Sequence, residues 1–325
     1  MTKFERILCP VDFSEFSARA CKYAHSLAKQ YQAELFLQHV VQPIQVLYPY
    51  CAFPMPDVGM CAGTNQEAEK RLFDFAQSHG RSGVEPKLVV QEGILLPDSI
   101  LTFANNNQVD LIVMGTHGRH GFDRLTVGSV TERVLPRAHC PVLVVRKPEH
   151  DFINGTEGPD PVQLRRILYC TDFSDNAHHA LSYAFSLAME YNAELTLLHV
   201  LDNAGTARQL EQRRIETLRK LRKLIPADVP NWCSVTPAVR AGRPYQEIVR
   251  LASEAQSDLV IMGVRGRGLL DLGLFGSTTH RILQMGPCPV LAVHEPAESM
   301  EHTEVRTGHE RPISRAEPAV PGVLG

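Results

Sequence analysis

The chain is one unit written twice. Arg6-Ile7-Leu8-Cys9-Pro10-Val11-Asp12-Phe13-Ser14 is matched by Arg166-Ile167-Leu168-Tyr169-Cys170-Thr171-Asp172-Phe173-Ser174. Ala33-Glu34-Leu35 through His39-Val40 is matched by Ala193-Glu194-Leu195 through His199-Val200. Cys140-Pro141-Val142-Leu143 closes the first copy as Cys288-Pro289-Val290-Leu291 closes the second. A period of roughly 150–160 residues is too long for a solenoid repeat and is the size of a whole domain. Most of the 325 residues are therefore spent on two copies of one fold.

Within each copy the pattern alternates strand and helix, beginning and ending on a strand. The first helix is marked by Phe16, Ala20, Tyr23, Ala24, Leu27, Ala28 and Tyr31 at three- and four-residue steps, with Ser14 placed to cap it. The strands are short runs such as Leu35 to Val41, Leu88 to Val90 and Val142 to Val145, apolar on both faces. Such strands suit a parallel sheet covered on both sides by helices. The pattern predicts a doubly wound α/β fold, which places ligands beyond the carboxyl ends of its strands. The expected boundaries are a first domain over 1–147, a linker over 148–164 rich in Pro and Gly, a second domain over 165–295, and a disordered tail over 296–325. A segment of the first copy, roughly Gln42 to Thr64, has no counterpart in the second and reads as a surface loop, a lid or a contact surface.

Each copy also carries G-x-x-G, nine residues, then G-S. The motif runs from Gly115-Thr116-His117-Gly118 to Gly128-Ser129, and from Gly263-Val264-Arg265-Gly266 to Gly276-Ser277. Both follow an apolar strand ending in Met-Gly. Glycines permit close backbone approach to a ligand, and a helix start offers N–H groups and a positive dipole end to phosphate. Asp12 and Asp172, at the end of the first strand of each copy, suit an adenine amine or a ribose hydroxyl and would repel phosphate. Arg119 and Arg267 follow the second glycine of each motif and can screen phosphate charge. Arg265 adds a cation where the first copy has His117, so the second site is expected to hold triphosphate at least as tightly as the first.

A formal net charge of −3 provides no basic field for nucleic acid and no polybasic membrane anchor. No apolar run approaches membrane-spanning length. A cytoplasmic protein is expected, in which the eight cysteines act mainly as small buried hydrophobes. Cys51 and Cys61 stand apart because they lie in the unmatched segment, and a zinc or redox role stays open for that pair.

These residues resemble the universal stress proteins in their tandem-domain form. The resemblance rests on the two Asp-Phe-Ser strand ends, on His39-Val40 and His199-Val200, and on both glycine motifs, and it covers nearly everything from Phe4 to Val293. It implies two tandem, Rossmann-like, parallel five-stranded sheets of the adenine nucleotide alpha hydrolase-like kind. Members that keep the glycine motif bind ATP, so the resemblance implies two ATP sites, with Mg²⁺ expected alongside. The first would be formed by Asp12, Val40, Gly115, Gly118, Gly128, Ser129 and Val130, and the second by Asp172, Val200, Gly263, Gly266, Gly276, Ser277 and Thr278. The family pairs through its last strand, which implies an internal pairing of Val142 to Val145 with Val290 to Val293. Further dimerisation of whole chains and an unidentified protein partner are also expected. The second copy departs from the family in having Cys170 where the first has Pro10.

Other readings of the same residues stay open. Asp12 and Asp172 can cap the first helices instead, in competition with Ser14 and Ser174. His39 and His199 read as core or supporting groups rather than ligands. Arg208 to Lys223 fits an amphipathic helix better than a nucleic-acid patch. A nucleotide-dependent regulator is the leading function, and an ATP-hydrolysing or adenylating enzyme on the same fold is the alternative. Asp123 and Asp271, within the spacers, are either metal contacts or surface charge. No efficient catalytic set is indicated, and slow ATP turnover is the most the sequence supports.

Overall fold

The computed structural model describes residues 3–42, 58–79 (side chains from 65 onward), 83–116, 127–146, 149–153, 161–264 (except the Pro230 side chain) and 276–294. The first half runs β1 (Arg6–Pro10), α1 (Glu15–Tyr31), β2 (Glu34–Val41), α2 (Val58–His79), β3 (Lys87–Glu92), α3 (Leu96–Asn106), β4 (Leu111–Gly115), α4 (Ser129–Val134) and β5 (Val142–Val145). The second half runs β6 (Arg166–Cys170), α5 (Asp175–Tyr191), β7 (Glu194–Leu201), α6 (Ala207–Lys223), β8 (Val235–Ala241), α7 (Pro244–Glu254), β9 (Leu259–Gly263), α8 (Ser277–Met285) and β10 (Val290–Val293). No described helix is long and apolar enough to cross a membrane.

The two five-stranded parallel sheets are joined. Strand order is β3-β2-β1-β4-β5-β10-β9-β6-β7-β8, a single ten-stranded sheet. The one antiparallel step is at the centre, where Leu143 faces Leu291 and Val144 faces Val290. Four-residue strands that are buried throughout have no tolerable solvent-facing edge, so each covers the other. The outer edges are protected differently: β8 carries Pro237, which an edge strand tolerates.

Alternation along the strands sends side chains into two apolar layers. Ile7, Cys9, Leu143 and Leu291 pack with α1, α2, α5 and α6 on one face. Leu8, Ile112, Val144 and Val290 pack with α3, α4, α7 and α8 on the other. Ser14 and Ser174 are the N-caps of α1 and α5, accepting from the backbone N–H of Ser17 and Ala177. Both helices stop at a left-handed residue, Gln32 (φ 52°) and Asn192 (φ 49°). The basic run Arg208 to Lys223 is the amphipathic α6, with Thr217 and Leu221 buried.

Two segments differ from their sequence reading. The Pro- and Gly-rich stretch between the halves is anchored: Phe152, Ile153, Val162 and Leu164 are buried, and Ile153 bridges Val162. Phe152 meets Tyr23 edge-on at 4.9 Å, and the Tyr23 hydroxyl donates to Asp151. Pro and Gly dominate the composition there, but four apolar side chains decide the packing. The unmatched segment of the first half is not wholly a loop, because α2 begins at Val58. Residues 43–57, including Cys51, and the side chain of Cys61 lie outside the described residues, as does the tail from 295.

Candidate functional site

In each half the strand order reverses direction between β1 and β4, or between β6 and β9. Crossovers leave to opposite faces there, opening a crevice beyond the carboxyl ends of those strands. The two Asp-Phe-Ser turns and the two glycine motifs start from these strand ends.

The turn after β1 is fixed from both sides. The Val11 N–H donates to the Gln38 carbonyl at 2.7 Å, and His39 Nδ1 lies 2.7 Å from the Val11 carbonyl. A carbonyl can only accept, so Nδ1 carries the proton. Asp12 follows, and its Oδ1 accepts from the Ser14 N–H at 3.0 Å and from the Ser14 hydroxyl at 2.6 Å. This Asx turn holds Phe13 at φ 64°, a left-handed conformation uncommon for an aromatic residue. The second half repeats it: Asp172 Oδ1 accepts from Ser174 (N–H 3.0 Å, hydroxyl 2.5 Å), Phe173 sits at φ 64°, and His199 Nδ1 donates to the Thr171 carbonyl at 2.8 Å. Serine is therefore the helix cap, and aspartate braces the serine.

Phe13 packs on His39, ring centroids 4.4 Å apart, with the Arg71 guanidinium of α2 4.5 Å from its centroid. Phe173 packs on His199 at 4.7 Å, with Lys220 of α6 6.0 Å away. The sequence reading took both histidines as supporting groups and passed over the two phenylalanines. The signal available was the repetition of Asp-Phe-Ser with a histidine at the same distance in each copy.

The ends of the first glycine loop are clamped together. The Thr116 N–H donates to the Val145 carbonyl at 3.0 Å, the Gly128 N–H donates back to the Thr116 carbonyl, and Thr131 Oγ1 donates to the Gly115 carbonyl at 2.8 Å. Ser129 is exposed at the start of α4, and Val130 is half-buried. In the second half the Val264 N–H pairs with the Val293 carbonyl at 2.8 Å, and Gly276 and Ser277 are exposed at the start of α8, with Thr278 half-buried. Gly118, Arg119, Arg265, Gly266 and Arg267, together with His117, Asp123 and Asp271, lie outside the described residues.

The glycines have different neighbours. A Cβ on Gly115 would lie 2.9 Å from the Cβ of Phe16, and one on Gly263 would lie 2.4 Å from the backbone N of Ala177. These two are glycine because the first turns of α1 and α5 press on the strand ends. A Cβ on Gly276 would meet nothing within 4 Å among the described residues. The Val40 side chain is buried in the same apolar layer as Met114 and Val127, and Val200 is half-buried. Among the described residues no group of three or more His, Cys, Asp or Glu is placed to hold a metal ion.

The model of the universal stress protein family matches residues 3–146 and again 163–294. The chain belongs to the universal stress protein family. It is 28% identical over 298 residues to a universal stress protein of Mycolicibacterium smegmatis, covering 88% of this chain and 96% of that one. A universal stress protein of Methanocaldococcus jannaschii is 35% identical over 153 residues, 46% of this chain and 85% of that one. The solved structure of a universal stress protein from Archaeoglobus fulgidus shares the fold with a TM-score of 0.66 at 22% identity, covering 91% of this chain and 99% of that chain.

Proposed function

We propose that this universal stress protein binds ATP in both halves and acts as a nucleotide-dependent regulator of a stress response. The observation that carries the reading is the meeting of a braced aspartate turn and a Gly-Ser helix start at one switch-point crevice, twice in one chain. Asp12 and Asp172 would face the nucleoside. Gly128-Ser129-Val130 and Gly276-Ser277-Thr278 would face the phosphates, joined by Gly118, Gly266 and the arginines 119, 265 and 267. Gly276, with no described residue within 4 Å of a Cβ placed there, and the exposed Ser277 suit an anionic group, which backbone N–H groups at a helix start favour. Gly115 and Gly263 would serve the site indirectly, by letting α1 and α5 close on the strands. Mg²⁺ would be held mainly by the phosphates, as that ion commonly is.

The reading also includes a cytoplasmic location, two domains over 1–147 and 165–295, and partner proteins that sense the nucleotide state. It is tested by extracting nucleotide from the purified protein and by displacing a fluorescent ATP analogue. Retained adenine nucleotide, or saturable displacement by ATP and not by phosphate alone, supports the reading. Neither retention nor displacement sinks it.

A further inference from the structure

The duplication allows the two ends of the sheet to be compared inside one molecule. β3 ends it on one side and β8 on the other. The Gly93 N–H donates to the Val41 carbonyl at 3.0 Å, and the Gly242 N–H donates to the Leu201 carbonyl at 2.8 Å. Backbone direction alternates along a strand. Leu88, Val90 and Glu92 therefore turn N–H and C=O outward from β3, as Val235, Pro237, Val239 and Ala241 turn theirs from β8. Leu88 lies opposite Leu37 and Pro237 opposite Leu197, which are matched positions of the two copies. Where β8 has a residue with no N–H to offer, β3 has a leucine whose donor points outward. Proline there blunts an edge, and leucine leaves it able to pair. Among the described residues β3 pairs with β2 alone.

The surroundings of β3 also suit a contact. Phe73 (53% exposed), Leu88 (38%), Ile94 (61%) and Leu95 (53%) make up half of the large apolar side chains exposed among the described residues. Phe73 and Leu88 line one groove with Val90 and with Gln66, Glu69 and Lys70 of α2. Lysine commonly guards an edge, but the Lys87 ammonium is engaged by Glu34 of its own chain. Glu69 and Lys70 are exposed, and neither has an ion-pair partner among the described residues.

We propose that two copies of this chain join antiparallel through their β3 edges, about a two-fold axis at Val90. Leu88 of each copy then lies opposite Glu92 of the other, and Leu88, Val90 and Glu92 each donate and accept one backbone bond. The same device already closes the edges of β5 and β10 within the chain. A two-fold axis perpendicular to the sheet sets the two α2 helices side by side on one face. The residues that line the groove beside Val90 come to the axis, so Glu69 of each copy meets Lys70 of the other. Opposite charges at adjacent positions make this surface complementary to itself, as an isologous contact requires. A partner of one charge would meet like charge at Glu69 or at Lys70, which is why a second copy is the occupant. The contact consumes both β3 edges and leaves Pro237 on each β8 edge, so association stops at the dimer.

The contact needs no nucleotide, and the test is sedimentation of the full chain over about 1–100 µM, a range that spans moderate affinities. Leu88→Pro gives β3 the residue of β8 and removes only an outward N–H. The native chain is expected to dimerise, and Leu88→Pro to stay monomeric with an unchanged far-ultraviolet circular dichroism spectrum. Glu69→Lys, at an exposed helix position, is expected to weaken the dimer by roughly 10-fold, and Glu69→Lys with Lys70→Glu to restore it. A native chain that stays monomeric across the range would overturn the proposal, as would a dimer left intact by folded Leu88→Pro. A dimer unmoved by Glu69→Lys, or not restored by the double substitution, would overturn it as well, and that arm holds if Leu88→Pro fails to fold.

Discussion

Gly115, Gly263 and Gly276 belong to one motif yet meet different demands. The motif alone reads all three as room for a ligand. Packing separates them, because only the structure places Phe16 and Ala177 against the strand ends. Gly263→Ala drives a Cβ into backbone and is expected to cost about 1–3 kcal/mol or more, as overpacking does. Gly276→Ala meets no described residue and should cost no more than about 1 kcal/mol, the N-cap preference of glycine over alanine. Urea midpoints of the two variants measure the difference directly. Asp12 was legible as a polar residue at a strand end, but its brace on Ser14 was not, since a left-handed Phe13 has no sequence signature. His294 carries a second prediction. Burial pushes its imidazole down to about 4, so it is neutral in the fold and gains a proton on unfolding below the ordinary value of 6.5. The unfolded state then binds more protons, and stability falls as pH drops from 6.5 toward 4, by about 3 kcal/mol in all. His294→Phe should flatten that loss when unfolding is followed from pH 7 to pH 4.

Elements were easier to read than their joints. Strand and helix order follows from apolar periodicity; the pairing of the last strands was legible only through the family resemblance, and Leu143 facing Leu291 bears it out. The anchored stretch between the halves was hidden because Pro and Gly outnumber Phe152, Ile153, Val162 and Leu164 in its composition. Where α4 meets α8, duplicated positions have diverged into complementary partners. Glu132 accepts from His280 Nε2 at 2.9 Å, while Arg146 donates to the carbonyls of Gln284 and Gly286 at the end of α8. The first pair is about one-third exposed on both sides, so it contributes at most about 1 kcal/mol. The half-buried arginine matters more. Arg146→Ala leaves α8 carbonyls without their donor and is expected to cost about 2 kcal/mol, read as a lower denaturant midpoint.

At the scale of the molecule, the described residues form one compact unit around a continuous sheet. Two apolar layers run through the β5–β10 junction, so loosening either half exposes the other. The expected calorimetric trace has one transition, and Gly263→Ala should move all of it. Two transitions, only one of them shifted, would contradict a shared core. The central claim is that the duplicated crevices hold nucleotide, and the most direct measurement is calorimetric titration of nucleotide-free protein with ATP and Mg²⁺, with Gly276→Ala in parallel. The account predicts saturable binding at close to two nucleotides per chain, falling toward one in a variant that keeps its fold. Absence of heat from the native protein, or identical binding by the variant, would contradict it.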